Sequence, residues 1–208
     1  MLILVSMKKL IPIFCIYLSM IWMYSAKAEY SVLFHPESHT NDLQRDVFTR
    51  SLEEFKNAGY HYLAMEMFKD NRQKELDLYF ESPERNISII ENLLKTEWAY
   101  NTDSYLQMMN QAVHLGFKII ALDMPKKDVP KEDLPLPVPP KLSNNMKARN
   151  KRMAFNISEV IKKDSNAKIL VLVGAYHAES DGIPKVLIED YGIHSLSDNL
   201  DNFYYKHL

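Results

Sequence analysis

Apolar residues fall along this chain in two alternating rhythms. Over residues 42–58, Leu43, Val47, Phe48, Leu52 and Phe55 recur at helical spacing, which predicts an amphipathic helix. Over 102–115, Tyr105, Met108, Met109, Ala112 and Val113 do the same. Between such stretches lie short continuous apolar runs, at 31–34, 60–68, 117–122 and 167–173, with a weaker one at 193–196. Runs without alternation read as strands buried on both faces, as in a parallel sheet covered by helices. Gly59, Gly116 and Gly192 each close a helix-like stretch just before a strand-like one. Glycine suits that C′ position because it adopts positive φ without strain. Residues 71–95 read as a helical insert broken at Pro83. Ser143 is the expected N-cap of a helix reaching Lys163, with Met146, Met153, Ile157, Val160 and Ile161 on its inner face. Strands alternating with helices predict an α/β fold: a layered, mostly parallel β-sheet flanked by helices.

The N-terminus changes this picture. Lys8 and Lys9 precede an apolar run over 10–22, and Ala26-Lys27-Ala28 supplies a small-x-small site. This predicts an export signal over 1–28, with Met7 as a natural start, and a single domain over 29–208. The run is shorter than the roughly 20 residues a full span requires, so no stable membrane insertion is expected after cleavage. The expected location is the periplasm or the outside of the cell. Cleavage removes three lysines and no acid from a chain of formal charge −2, leaving 22 basic against 27 acidic residues, or −5. That balance argues against nucleic acid as a partner. Cleavage also removes Cys15, the only cysteine. The exported domain then has no disulfide, no cysteine nucleophile and no thiolate metal site. Six of the ten prolines fall over 125–140, a stiff excursion that reads as a lid, a wall or a plain surface loop.

The chemistry gathers where strands are expected to end. The first run leads into Pro36-Glu37-Ser38-His39, the second ends with Glu66, the third delivers Asp123-Met124-Pro125, and the fourth Gly174-Ala175-Tyr176-His177. In open α/β sheets ligands bind outside the carboxyl ends of strands. Arg149 and Asn150 fall within or beside the buried stripe of the helix starting at Ser143. A guanidinium there needs a carboxylate or an anionic ligand. His35, His61, His114, His194 and His207 lack such a context and read as structural or surface residues.

In this order the motifs resemble the Tiki superfamily, which groups ChaN-like haem-uptake proteins, erythromycin-esterase-like proteins and the Tiki and TraB proteases. The resemblance runs over residues 31–196. It rests on Glu37-Ser38-His39-Thr40, Glu66, Asp123-Met124-Pro125, Arg149-Asn150 with Met153-Ala154, and Gly174-Ala175-Tyr176-His177-Ala178. The last fits a Gly-x-x-His signature. Pro36 stands where the first motif of such families has glycine, and proline offers no amide donor.

The resemblance implies a ChaN/erythromycin-esterase-like fold and a site built from Glu37, His39, Glu66 and His177, with Arg149 in support. It leaves several chemistries open. In a hydrolase-like site a carboxylate or histidine takes a proton from water and Arg149 stabilises developing charge, with Asp123 beside them. A metal variant uses His39, Glu66 and His177 as ligands to zinc or manganese. A haem-uptake protein would use Tyr176, His177 and His39 toward iron, with Asn150 and Tyr176 contacting the cofactor. A toxin or effector module acting on a host partner is the third reading. The expected ligand is a small molecule or peptide, haem included.

Overall fold

The computed structural model describes residues 30–98, 100–132 and 137–197. The predicted export signal, the middle of the proline-rich stretch and His207 lie outside the described residues. The elements run β1 (Val32–Glu37), α1 (Asp42–Asn57), β2 (Tyr62–Lys69), α2 (Gln73–Glu81), α3 (Pro83–Glu97), α4 (Thr102–His114), β3 (Lys118–Asp123), α5 (Asn144–Lys163), β4 (Ile169–Gly174), the single turn α6 (Ala175–Ala178), α7 (Ile183–Tyr191) and β5 (Ser195–Ser197).

Local chemistry sets these boundaries. Asn41 caps α1 by accepting from the Gln44 amide, and Ser143 caps α5 by accepting from the Met146 amide. Pro83, the predicted break, opens α3 at a position where no amide is missed. The three glycines that end helices do adopt positive φ, at 91°, 76° and 67°.

All five strands are parallel, in the order β3-β2-β4-β1-β5. Side chains alternate between the two faces of the sheet. Leu33, Leu63, Met65, Leu170 and Leu172 pack with α1 to α4 on one face. Val32, Phe34, Ala64, Val171 and Val173 pack with α5 and α7 on the other. This three-layer arrangement explains the unbroken apolar runs. No cysteine lies among the described residues, so no disulfide staples them, and each fully buried large apolar side chain contributes about 1.5–3 kcal/mol.

Three expectations need correction. Leu43 is 54% exposed and lies off the core face of α1, whereas Val47, Phe48, Leu52 and Phe55 are buried. β1 runs on to Glu37, past the predicted end at 34. β2 likewise continues past Glu66 to Lys69, with a register shift against β3 between Met65 and Lys69. Met67 and Phe68, neighbours in sequence, consequently pack in the same core cluster. Such a bulge re-aims side chains near a strand end.

The topology creates a crevice. β1 and β4 are adjacent, and Glu37 is level with Gly174. The chain leaves β1 toward α1 on one face and leaves β4 toward α7 on the other. A crevice at such a divergence is the usual ligand position in open α/β sheets.

Candidate functional site

Glu37, the last residue of β1, points to the α1 and α4 face and is 2% exposed. A carboxylate buried to that degree must be paired. Arg45 Nη1 donates to Oε2 at 3.0 Å, and the Tyr105 hydroxyl donates to Oε1 at 2.7 Å. Arg45 is itself fully buried and satisfied, donating also to Ser104 Oγ, Asp42 Oδ1 and the His39 carbonyl. Burial and the Glu37 charge push the Tyr105 phenol up, so it stays a donor.

His39 follows in the turn after β1. Its Nδ1 lies 3.0 Å from Glu37 Oε1, which makes Nδ1 the donor and turns Nε2 toward Glu66. Nε2 is 3.8 Å from Glu66 Oε2. Glu66 sits on β2 and faces α5, so the ring must cross the end of β4 to reach it. Gly174 permits this crossing. A Cβ at that position would lie 2.8 Å from His39 Nε2 and 3.3 Å from Glu66 Oε2. Burial lowers the His39 pKa, but the Glu37 hydrogen bond and the Glu66 charge outweigh it and leave it above its ordinary value.

Glu66 is the hub. Its Oε2 accepts the Gly174 amide at 2.6 Å. Its Oε1 accepts from Arg149 Nη2 at 2.6 Å and lies 3.4 Å from His177 Nε2. Burial favours the neutral acid, yet His177, Arg149 and His39 together hold the carboxyl well below the usual range. Arg149 also grips Asp123 through Nε at 2.9 Å and Nη2 at 2.8 Å, and neither carboxylate engages its Nη1. Asp123 accepts Lys69 Nζ at 2.6 Å and the Met124 amide at 2.9 Å. A chain of alternating charge results: Asp42, Arg45, Glu37, His39, Glu66, Arg149, Asp123, Lys69.

His177, in α6, is 3% exposed. Its Nδ1 lies 2.5 Å from Asn150 Oδ1, which fixes the ring and aims Nε2 at Glu66. Gly182 supports that turn from behind, because a Cβ there would lie 2.4 Å from the His177 carbonyl oxygen.

The structure thus joins Glu37, His39, Glu66, Asp123, Arg149, Asn150 and His177 in one connected group. Tyr176 stands apart, 60% exposed. The other described histidines stay out of the group: His35 stacks on Phe48 at 4.4 Å, His61 meets Asp164, and His114 and His194 are exposed. The proline at 36 is accommodated by Gln44. Its side chain donates to the Pro36 carbonyl at 3.0 Å and accepts the Ser38 amide at 2.8 Å, so this chain fixes the turn without an amide at position 36.

Several residues escaped the sequence reading. Arg45 precedes Phe48 by three and Leu52 by seven positions, so it falls on the buried stripe of α1 by the same signal that exposed Arg149. Tyr105 read only as part of a helical core face, and Lys69 carries no signal of its own in the sequence. Trp98 and Tyr100 carry no local signal, yet each ring lies 4.9 Å from the His39 ring.

A three-layer parallel fold with histidines and acids at this crevice defines an α/β protein of the Tiki type. The chain belongs to the family described as haem-binding uptake, Tiki superfamily, ChaN, whose profile matches residues 23–131. No curated protein matches it. Among solved structures it is similar to a ChaN of Campylobacter jejuni with cofacially bound heme, at 17% identity and TM-score 0.58, covering 84% of this chain and 83% of that one. It is also similar to the type III effector HopBA1, at 17% identity and TM-score 0.59, covering 84% and 79%. RRSP, a MARTX toxin effector domain from Vibrio vulnificus, matches at 17% identity and TM-score 0.57, over 84% of this chain and 34% of that one. These likenesses establish the shared fold.

The expected metal set of His39, Glu66 and His177 fits a divalent ion poorly. Both Glu66 oxygens are already taken, one by a guanidinium and one by an amide. A fixed guanidinium 2.6 Å from a would-be ligand oxygen opposes a second cation there. Among the described residues no three histidines or acids converge as a metal site.

Proposed function

We propose that this chain is a hydrolase-like member of its family that activates water without a metal. One observation carries the reading. His39 is held between a fixed carboxylate on Nδ1 at 3.0 Å and a second carboxylate near Nε2 at 3.8 Å, and its ring is still 20% exposed. A carboxylate on Nδ1 fixes the tautomer and stabilises the imidazolium, the arrangement a general base needs. His39 Nε2 takes a proton as water oxygen bonds to the substrate carbonyl carbon. The carbon–heteroatom bond then breaks, and the proton passes from Nε2 to the leaving group. Glu66, held ionised, stabilises the imidazolium formed between these steps. Arg149 Nη1 faces the developing oxyanion. Asp123 positions Arg149, and His177 with Asn150 positions Glu66.

The domain over 29–208 is read as exported after loss of its leader. No described helix is long and apolar enough to cross a membrane.

Haem cargo is a second reading, favoured by the exposed Tyr176. Tyr176 lines a recess of about 370 Å³ together with Met146, the lysines Lys147 and Lys151, and the acids Glu179, Asp181 and Glu189. A phenol is one of the side chains that ligate haem iron, and the lysines beside it suit acidic side groups, although acids share the same walls. His39 and His177 fit iron poorly, since their ring nitrogens already serve Glu37, Glu66 and Asn150.

One protein sample separates the readings. Hydrolysis of an activated ester that survives EDTA, with no Soret shift on adding hemin, supports a metal-free hydrolase. Loss of hydrolysis in EDTA overturns the metal-free claim. No hydrolysis, with a Soret shift that disappears in Tyr176→Phe, gives the protein to haem.

Gly174→Ala adds a further expectation. The methyl must displace the end of the His39 side chain rather than backbone, so the fold should persist. A displacement near 1 Å costs on the order of 10²-fold in rate. Ester turnover within about threefold of wild type, with an unchanged circular dichroism spectrum, would show that the ring's place over Gly174 does not matter.

A further inference from the structure

Beside Arg149 opens a cleft of about 340 Å³ whose walls differ in chemistry. One wall is aromatic: Trp98 and Tyr100, with ring centroids 5.1 Å apart, both abutting His39. Met124 and Val129 add apolar surface. Most charges lining the cleft are matched within the protein: Lys69 and Arg149 by Asp123, and Glu97 by Arg72. Lys126 is the exception. It is exposed on the turn after β3, lines the cleft, and makes no ion pair among the described residues. The recess therefore combines an aromatic platform with one uncompensated positive charge, next to the catalytic histidine.

We propose that this cleft is the substrate-recognition subsite, and that it takes an ester or amide carrying an apolar, ring-sized group beside a carboxylate. The apolar group lies on Trp98 and Tyr100, and the carboxylate faces Lys126. Rings against Trp and Tyr gain both buried area and favourable ring geometry, and an unmatched ammonium at the mouth selects the anion. The volume suits one aromatic amino-acid residue and excludes a large rigid body. The assignment rests on the hydrolase reading, whose reaction would take place at the neighbouring His39.

The full chain contains two tryptophans, Trp22 and Trp98, so the difference between wild type and Trp98→Phe isolates the cleft reporter. N-acetyl-L-phenylalanine should quench wild-type fluorescence saturably, and this signal should vanish in Trp98→Phe. Lys126→Glu should weaken binding about fivefold or more, while Lys127→Glu, one residue along the turn, should not. The neutral N-acetyl-L-phenylalaninamide should bind at least about fivefold more weakly than the acid. Tyr100→Ala, at an exposed ring, should also weaken binding and guards against a folding defect in Trp98→Phe. Equal affinity for acid and amide, or no effect of Lys126→Glu, overturns the proposal. Hydrolysis of 4-nitrophenyl acetate, too small to need the cleft, is followed in parallel. Hydrolysis without probe binding rejects the cleft alone. Probe binding without hydrolysis rejects the hydrolase reading and leaves the cleft as an anion-selective binding site.

Discussion

Replacing His39 by alanine should lower ester hydrolysis by about 10²–10⁴-fold, the usual contribution of a positioned general base, and leave the protein folded. The two halves of this expectation come from different parts of the structure. Activity should fall because no other described group offers a partly exposed imidazole between two buried carboxylates. His177 is 3% exposed and is committed to Asn150 and Glu66. The fold should persist because Glu37 keeps both of its other partners, Arg45 and Tyr105, when the imidazole goes. The stability change should stay within about 1 kcal/mol, as for a partly exposed residue outside the core. Turnover together with a urea melt checks both halves. Retained turnover would remove His39 from the chemistry. Global unfolding would show that the ring is a structural tie instead.

Arg149→Met should have the opposite signature, a large loss of stability. The guanidinium is the shared partner of two buried carboxylates, Glu66 at 2.6 Å and Asp123 at 2.8 Å. Methionine keeps much of the volume and none of the charge. Asp123 would still hold Lys69, but Glu66 would keep only the Gly174 amide and the two histidines. Removing one member of a buried ionic group typically costs about 3–5 kcal/mol, because it strands the remaining charge. A urea midpoint shift equivalent to less than about 1 kcal/mol would mean that Glu66 is stabilised by other groups. Methionine at 149 should also reduce turnover, since Nη1 is lost, but stability is the more direct readout.

Much of this site was legible before any coordinates. Arg149 stood out because a cation on a buried helical stripe demands a partner, and Asp123 and Glu66 were the acids expected nearby. The order of acid and histidine motifs placed Glu37, His39, Glu66 and His177 in one crevice because strand ends of a parallel sheet share an edge. What the sequence could not convey was strand order. Only when β4 lies between β1 and β2, with Gly174 level with Glu37, does it become clear that His39 must pass over a glycine to meet Glu66. Arg45 carried the same stripe signal as Arg149 and was overlooked, while Leu43 was assigned to a core face it does not reach. Trp98 and Tyr100 owe their place to the packing of α3 and α4 against the sheet, which no local pattern encodes. The metal reading is opposed by partners rather than by residue types: His39 and His177 each approach Glu66, but Arg149 and the Gly174 amide already engage that carboxylate.

The most direct test of a carboxylate-tuned histidine base is the pH dependence of kcat/KM for ester hydrolysis, measured for wild type and Glu37→Gln. In wild type the acid limb should have its midpoint above the ordinary imidazole value of 6.5, because Glu37 and Glu66 favour the protonated ring. Glutamine keeps an acceptor for Nδ1 but removes a charge that raises the His39 pKa, so the midpoint should move to lower pH. A midpoint that stays in place, or moves to higher pH, would contradict the account.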